Sequence, residues 1–253
     1  MASASLAPIV QHTNRLLRLD TFEDYPGAAN GLQVENRGRV HRIAAAVDAS
    51  LATVRMAIAA KADLLVVHHG LFWAATVPWT GLKYELLRLL LDHDVAVYSV
   101  HLPLDAHPKL GNNALLCHAL GLKGLQPFFE CKGRKIGLRG ELAIDRQELA
   151  RRLGRAVAGP VKLISGGSSR CRRIGVVTGG AGAELKLAAA EGVDTFITGE
   201  GPHWTFSVAE ELGINVLYGG HYASETFGVK ALAAALSKRF KLPWTFLDHP
   251  SGL

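Results

Sequence analysis

The 253-residue sequence has only three cysteines, Cys117, Cys131 and Cys171, which are odd in number and far apart. It therefore has neither a disulfide framework nor a Cys-x-x-Cys metal site, and this cysteine usage favours a reducing cytoplasmic location. No apolar run approaches the roughly 18 residues that a membrane helix needs, so we expect no membrane span. A Gly-x-Ser-x-Gly nucleophile motif is also absent, which argues against a covalent hydrolase.

The charge balance is mildly basic. Lys and Arg number 28 against 22 Asp and Glu, giving a formal net charge of +6 and a pI of about 9.3. Such an excess is compatible with phosphorylated ligands or nucleic acid but identifies neither. The basic clusters "CKGRK" and "RCRR" are read as solvated surface.

Short apolar runs recur along the chain, and each is followed by a turn and a helical pattern: "RIAAAVD", "DLLVVHHG", "VAVYSVH", "RIGVVTGG", "DTFITGE" and "NVLYGGH". Continuous rather than alternating apolar runs are typical of parallel strands covered on both faces. Helices are predicted at 51–61, 82–92, 146–157, 182–191 and 222–238. The pattern predicts an α/β fold of two lobes, with mostly parallel sheets flanked by helices.

Two features interrupt this rhythm. "IGLRGEL" and "VKLIS" are predicted to be additional strands and are candidates for antiparallel edges. The stretch 121–135 is rich in Gly and Lys and is the predicted crossing between the lobes.

Three of the apolar runs end on residues that bind metal ions in many proteins. The first ends on His68 and His69, the second is followed by Asp105, and the third leads into a helix that carries His221 and Glu225. These last two are four residues apart and therefore stack on one helical face. Because functional groups of α/β sheets gather beyond the carboxyl ends of the strands, we expect the five side chains to converge.

Imidazole and carboxylate ligands together suit zinc, iron or manganese. Five ligands fit two ions about 3.5 to 4 Å apart better than they fit one, with a bridging carboxylate and a bridging water. The sequence thus predicts a dinuclear site with Glu225 as the bridge. Each residue alone is more often structural than a metal ligand, and only the conjunction of three such strand ends supports a metal site.

The role of a further histidine, His101, stays open. It ends the run "VAVYSVH" and is a candidate for an outer ligand, a proton shuttle or a residue that orients a ligand, of which the last two are favoured. Gly70 is expected to permit the turn that lets neighbouring histidines converge.

Several other residues have two interpretations each. The run "DTFITGE" is followed by polar residues that either line a pocket or form a tight turn: Thr198, Glu200 and His203. "VVTGGAGAELK" resembles a phosphate cradle, with helix packing as the default interpretation. Three aromatics after the histidine pair either wall the pocket, accept a stacked purine or, as favoured, pack in the core: Phe72, Trp73 and Trp79.

Five segments together resemble the signature blocks of the NIF-three-like dinuclear metal-centre family, whose bacterial members are labelled GTP cyclohydrolase 1 type 2 homologs. They are "NGLQVEN", "VVHHGLFW", "HLPLDAHPKLGNNA", "DTFITGE" and "GHYASETFGVKAL", and they occur in family order. The resemblance implies the metal ligands His68, His69, Asp105, His221 and Glu225. It also implies a metal-binding lobe of 1–124 plus 215–253, a second lobe of 125–214, and a toroidal homohexamer.

The first functional hypothesis is a metal-dependent hydrolase that acts on a nucleotide or another phosphorylated small molecule, with His101 and Glu225 as catalytic residues. The family label suggests opening of the guanine ring of GTP. The alternative is a protein that stores, delivers or senses metal without catalysis. A third interpretation, a ring that binds nucleic acid, depends only on the net charge and the expected ring.

Overall fold

The computed structural model of the protein describes residues 3–73 and 78–253. Its strands are β1 Ala4–Ser5, β2 Gly31–Val34, β3 Arg39–Val40, β4 Ile43–Asp48, β5 Leu64–His69, β6 Ala96–Ser99, β7 Lys123–Cys131, β8 Arg134–Asp145, β9 Lys162–Ser165, β10 Arg170–Val176, β11 Thr195–Thr198, β12 Asn215–Tyr218 and β13 Trp244–Phe246. Its α-helices are α1 Leu6–Leu17, α2 Leu51–Ala59, α3 Leu82–Asp92, α4 Leu102–Asp105, α5 Asn112–Leu120, α6 Arg146–Val157, α7 Leu185–Ala190, α8 Thr205–Leu212 and α9 His221–Phe240. Short 3-10 helices cover Leu19–Thr21, Pro26–Ala28 and Ala181–Glu184. Helices therefore occupy the segments where the apolar patterns predict them.

The chain forms two compact units. The first comprises Met1–Leu104 and Gly228–His249, and the second comprises Asp105–Phe227 and Pro250–Leu253. The sequence places the first crossing at 121–135, whereas the division between the units falls between Leu104 and Asp105.

The first unit contains a five-stranded sheet of order β13-β4-β5-β6-β2. β13, β4, β5 and β6 pair in parallel, and β2 joins antiparallel to β6. The central strands are continuously buried, as their apolar sequences require. Each fully buried Val or Leu contributes about 1.5 to 3 kcal/mol by leaving water. After β4, the Ser50 side chain accepts a hydrogen bond from the backbone amide of Thr53. The Thr53 side chain in turn accepts the backbone amide of Ser50, and this reciprocal capping box begins α2.

The second unit contains a six-stranded sheet of order β7-β8-β10-β11-β12-β9. β10, β11 and β12 are parallel, whereas the other three pairings are antiparallel. The predicted parallel arrangement thus holds at the centre of this sheet and not at its sides. Its core packs Leu149 and Leu153 of α6 against buried residues of the sheet that include Ile174, Ile197 and Leu217.

The two additional predicted strands are both present and both antiparallel. "VKLIS" forms β9 at the edge of the sheet, as expected. "IGLRGEL" lies within β8, which is an interior strand between β7 and β10. The reason is local, since Lys132 and Gly133 both have positive φ, the geometry of a type I′ hairpin turn that folds β7 back on β8. The Gly- and Lys-rich stretch is therefore mostly a hairpin.

Within residues 3–73 and 78–253, no helix combines the length and the apolar character needed to cross a lipid bilayer.

Candidate metal site

Three imidazoles meet at the carboxyl end of the sheet in the first unit. His68 and His69 end β5, and His101 follows β6, the next parallel strand. One ring nitrogen from each lies within 4.8 Å of the others. The rings of His68 and His101 have centroids 5.0 Å apart, and those of His69 and His101 are 5.7 Å apart. The ends of β5 and β6 therefore bring His101 beside the predicted pair His68 and His69.

Each of these three histidines directs its Nδ1 atom at an oxygen acceptor. Nδ1 of His68 lies 2.9 Å from the carbonyl oxygen of Val100, that of His69 lies 2.8 Å from Asp48 Oδ1, and that of His101 lies 3.0 Å from Asp24 Oδ1. A carbonyl or carboxylate oxygen only accepts, so the Nδ1 atoms carry the protons. In the neutral rings, Nε2 is then the atom with the available lone pair, as in metal-ligating histidines.

Asp24 and Asp48 are functional candidates that the sequence reasoning missed. Asp48 is the last residue of β4 and lies opposite His69 in the parallel register, so its place at a strand end was a usable signal. Asp24 lies in a loop, 77 residues before its partner His101, where no local pattern identifies it.

The carboxylate of Asp24 is largely buried and densely hydrogen-bonded. It also accepts hydrogen bonds from the side chain of Asn30, at 2.8 Å, and from the backbone amide of Leu102, at 2.9 Å. Burial alone would raise the pKa of Asp24, but the hydrogen bond and charge of His101, together with the other donors, lower it. A negative charge is therefore held directly behind the His101 ring.

Gly70 is needed for packing rather than for turning. Its φ is outside the positive region, and a Cβ atom there would collide with the side chain of Gln33. That amide donates to the carbonyls of Ala28 and Ala29 and accepts the backbone amide of Leu71. The glycine thus lets the end of β5 lie close against the Gln33 side chain of β2.

The aromatics after the histidine pair are partly exposed. Phe72 and Trp73 each retain 37% of their accessible surface, which does not fit the favoured core-packing interpretation. The Trp73 ring packs edge-on against His101, with centroids 4.6 Å apart, and against His69, at 5.6 Å. Trp73 therefore forms a wall beside the imidazoles.

In the second unit, Asp105 is almost completely buried, with 6% of its surface exposed. Its Oδ1 accepts hydrogen bonds from Asn112 at 2.8 Å and from the Thr178 hydroxyl at 3.3 Å. Asn113 in turn accepts the backbone amide of Thr178 and donates to the backbone carbonyl of Asp105. These bonds fix the orientation of the carboxylate.

His221 and Glu225 lie together on the first turns of α9, as their spacing predicts. His221 Nε2 is 3.3 Å from Glu225 Oε2, and Glu225 is 3% exposed. Nδ1 of His221 lies 2.7 Å from Glu200 Oε1, so this fourth histidine follows the pattern of the other three. This contact favours the site interpretation of Glu200, whereas His203 is exposed.

Two carboxylates favour the protonated form of the His221 imidazole. Burial lowers the pKa of this imidazole, but the hydrogen bonds and charges of Glu225 and Glu200 outweigh burial and raise it to about 9. A cation that binds Nε2 must therefore replace a proton.

The Gly-rich turn after β10 packs against these same side chains. Gly179 has a φ of +75°, and a Cβ atom there would collide with the carboxylate of Glu225. Its amide donates to the hydroxyl of Ser224 at 3.0 Å. The turn is thus shaped by close approach to α9 and not by helix packing alone.

The fold and these side chains define a two-unit α/β protein with histidine and carboxylate groups that could hold a metal ion. The particular family follows from comparison with known proteins. Residues 4–251 match the family described as Duf34/NIF3 (NGG1p interacting factor 3), and the chain belongs to it. The family predicted from the sequence is thereby confirmed.

The relatives are similar over nearly their full length. A GTP cyclohydrolase 1 type 2 homolog of Deinococcus radiodurans is 43% identical, covering 97% of this chain and 93% of the relative. A protein of the same name from Pyrococcus horikoshii is 42% identical, covering 97% and 98%. Among solved structures, protein TTHA1606 from Thermus thermophilus has a TM-score of 0.91 at 40% identity, covering 99% of this chain and 100% of that one.

Proposed function

We propose that this protein is a dinuclear metal-dependent hydrolase that acts on a nucleotide-like substrate. The proposed ligands of the two divalent ions, zinc, iron or manganese, are His68, His69, Asp105, His221 and Glu225. The observation that carries the proposal is the shared orientation of the histidines, each with Nδ1 against an oxygen acceptor. This is the arrangement that fixes the tautomer and the direction of a metal-ligating imidazole.

The donor set fits the proposed ions. Neutral imidazole nitrogens and ionised carboxylates are ligands that first-row divalent metals accept, and the carboxylates of Asp105 and Glu225 compensate cation charge in buried surroundings. When bound, two such ions supply Lewis acidity and lower the pKa of coordinated water.

His101 is the proposed proton carrier. Its Nδ1 is held by Asp24, so proton transfer with a substrate is assigned to Nε2. The buried carboxylate stabilises the imidazolium that forms when the ring accepts a proton. Trp73, packed on the His101 ring, excludes water from one side of it.

The nucleotide-like substrate is inferred from the relatives, which are named GTP cyclohydrolase 1 type 2 homologs. The partly exposed aromatic rings beside the histidines are compatible with a planar base. A homohexamer and a cytoplasmic location, implied by the family resemblance, belong to the same proposal. Light scattering of the purified protein tests the hexamer.

The direct test is elemental analysis of protein purified without added metal, followed by a screen of nucleotides and phosphoesters. We expect close to two divalent ions per chain and hydrolysis of at least one phosphorylated substrate, lost on treatment with a chelator and restored by metal. Metal binding without hydrolysis of any substrate would favour the storage, delivery or sensing alternative.

Replacing Asp24 with Asn tests how His101 is positioned. The Asp24→Asn side chain retains its size but loses the charge that stabilises imidazolium, so we expect kcat to fall about 10- to 100-fold while the metal content is unchanged. Asp20→Asn, at an exposed position of the preceding 3-10 helix, is the matched control. Equal kcat values for the Asp24→Asn and Asp20→Asn variants would exclude this role of Asp24.

A further inference from the structure

The second unit contains a recess of about 210 Å³ that includes none of the candidate metal ligands. It lies beside β7, β8 and β10 and the turn that follows α7. Its charged and polar walls include Gln126, Arg139, Glu141, Arg173 and Glu191. A polar recess with this lining suits a charged ligand rather than an apolar one.

Arg139 is held rigidly in this recess. One guanidinium nitrogen, Nη1, donates to the backbone carbonyl of Glu191 at 2.6 Å, and Nη2 donates to Gln126 Oε1 at 3.3 Å. Both acceptors, a backbone carbonyl and a glutamine side-chain oxygen, are uncharged. A guanidinium that is fixed by neutral groups retains its full positive charge and loses little entropy on binding an anion.

Arg173 points to the same turn. It is the register partner of Glu141 on β8, yet among the described residues neither it nor Arg139 forms an ion pair with a carboxylate. Its Nη1 instead lies 4.0 Å from the place of a Cβ atom on Gly192, the residue after Glu191. Both guanidinium groups therefore flank the turn that closes the recess.

The acidic residues of the recess do not neutralise this pair. The carboxylate of Glu191 binds Lys135 Nζ at 2.8 Å and the backbone amide of Phe129 at 3.0 Å. Glu141 is exposed on the neighbouring strand, where it is the register partner of Arg173 and offsets only part of the positive charge. Two like charges that share one recess repel each other, and a bound anion relieves that repulsion.

We propose that this recess binds a small phosphorylated molecule through its phosphate group, with Arg139 and Arg173 as the donors. Guanidinium groups match phosphate oxygens in bidentate geometry, and the negative charge of a phosphate compensates the positive charge that Glu141 leaves. Glu141 is placed to accept a hydrogen bond from a hydroxyl group of the ligand. The site is independent of the proposed hydrolytic centre and does not require it to be correct.

The test is calorimetric titration of the full-length protein with ribose 5-phosphate and with inorganic phosphate. We expect Arg173→Gln to weaken binding about 10- to 100-fold, which is the loss typical of hydrogen bonds to a charged group. Arg172→Gln is the matched control, because Arg172 is an exposed neighbour whose backbone amide also binds Asp194 but whose side chain does not line the recess. This control should bind within twofold of the native protein.

Three further outcomes of the titrations test the proposal. Binding should persist in a His69→Ala variant, which separates the recess from phosphate bound at the candidate metal site. Equal affinities for the two ligands would identify free phosphate as the occupant, and tighter binding of ribose 5-phosphate would identify a phosphomonoester. Absence of binding, or equal losses in Arg173→Gln and Arg172→Gln with unchanged melting temperatures, overturns the proposal.

Discussion

Replacement of His69 with Ala is expected to reduce the metal content from the proposed two ions to about one per chain and to lower the proposed hydrolytic activity by at least about 100-fold. The reason is that the variant loses a proposed direct ligand, whereas changes to residues that merely orient ligands already cost 10- to 100-fold. The His69 ring is fixed by Asp48 and lies beside His68 and His101, so its removal takes one imidazole from the middle of the cluster. Elemental analysis and initial rates at several metal concentrations measure the two effects.

The matched control is His93→Ala. His93 is exposed and directly follows α3 as its C-cap, so removal of its imidazole should leave metal content and activity unchanged. Full activity of His69→Ala with the same substrate would remove the hydrolase assignment from this site. A fall in both variants would indicate a general effect of the substitution rather than loss of a ligand.

Replacement of Glu225 with Gln distinguishes catalysis from metal storage. The substitution retains the size of a buried side chain and removes the charge that lies 3.3 Å from His221 Nε2. In a hydrolase, we expect kcat to fall at least about 100-fold and to remain low at saturating metal, since a proposed bridging carboxylate is lost. In a carrier, the expected change is in metal occupancy and in the rate of metal exchange.

The Glu200→Gln variant is the matched control, because Glu200 and Glu225 contact opposite nitrogens of the His221 ring. Glu200 is bonded to Nδ1 of His221 and is half exposed, so its replacement should weaken metal affinity about 10- to 100-fold. Excess metal should restore its activity, in contrast to Glu225→Gln. If the Glu225 variant also regains full kcat in excess metal, Glu225 has no catalytic role.

The sequence predicts those parts of the site that depend on local patterns. Continuous apolar strands identify β5 and the position of His68 and His69 at its end, and helical spacing places His221 against Glu225. These features follow from the periodicity of a strand or a helix, which can be recognised within a single short segment of the sequence.

The carboxylates that bind the Nδ1 atoms of the histidines are harder to predict, because their contacts join residues that are far apart in the sequence. Asp24 reaches His101 across 77 positions, and Glu200 reaches His221 across 21. Asp48 is a different case, because it ends an apolar strand just as His68 and His69 do. Asp48 would be identified if every carboxylate at the end of an apolar strand were treated as a candidate in the same way as a histidine.

The register between β4 and β5 determines whether Asp48 can orient His69, so cation binding at this site should depend on correct strand pairing. Asp48 and His69 face each other because these strands pair in one register, and a slip by a single residue would turn either side chain to the opposite face. Retention of a cation under a mild chelator should then report strand alignment in variants with substitutions far from the histidines. Core substitutions in β4 that leave helix content intact but loosen the sheet should release the ion before they unfold the chain.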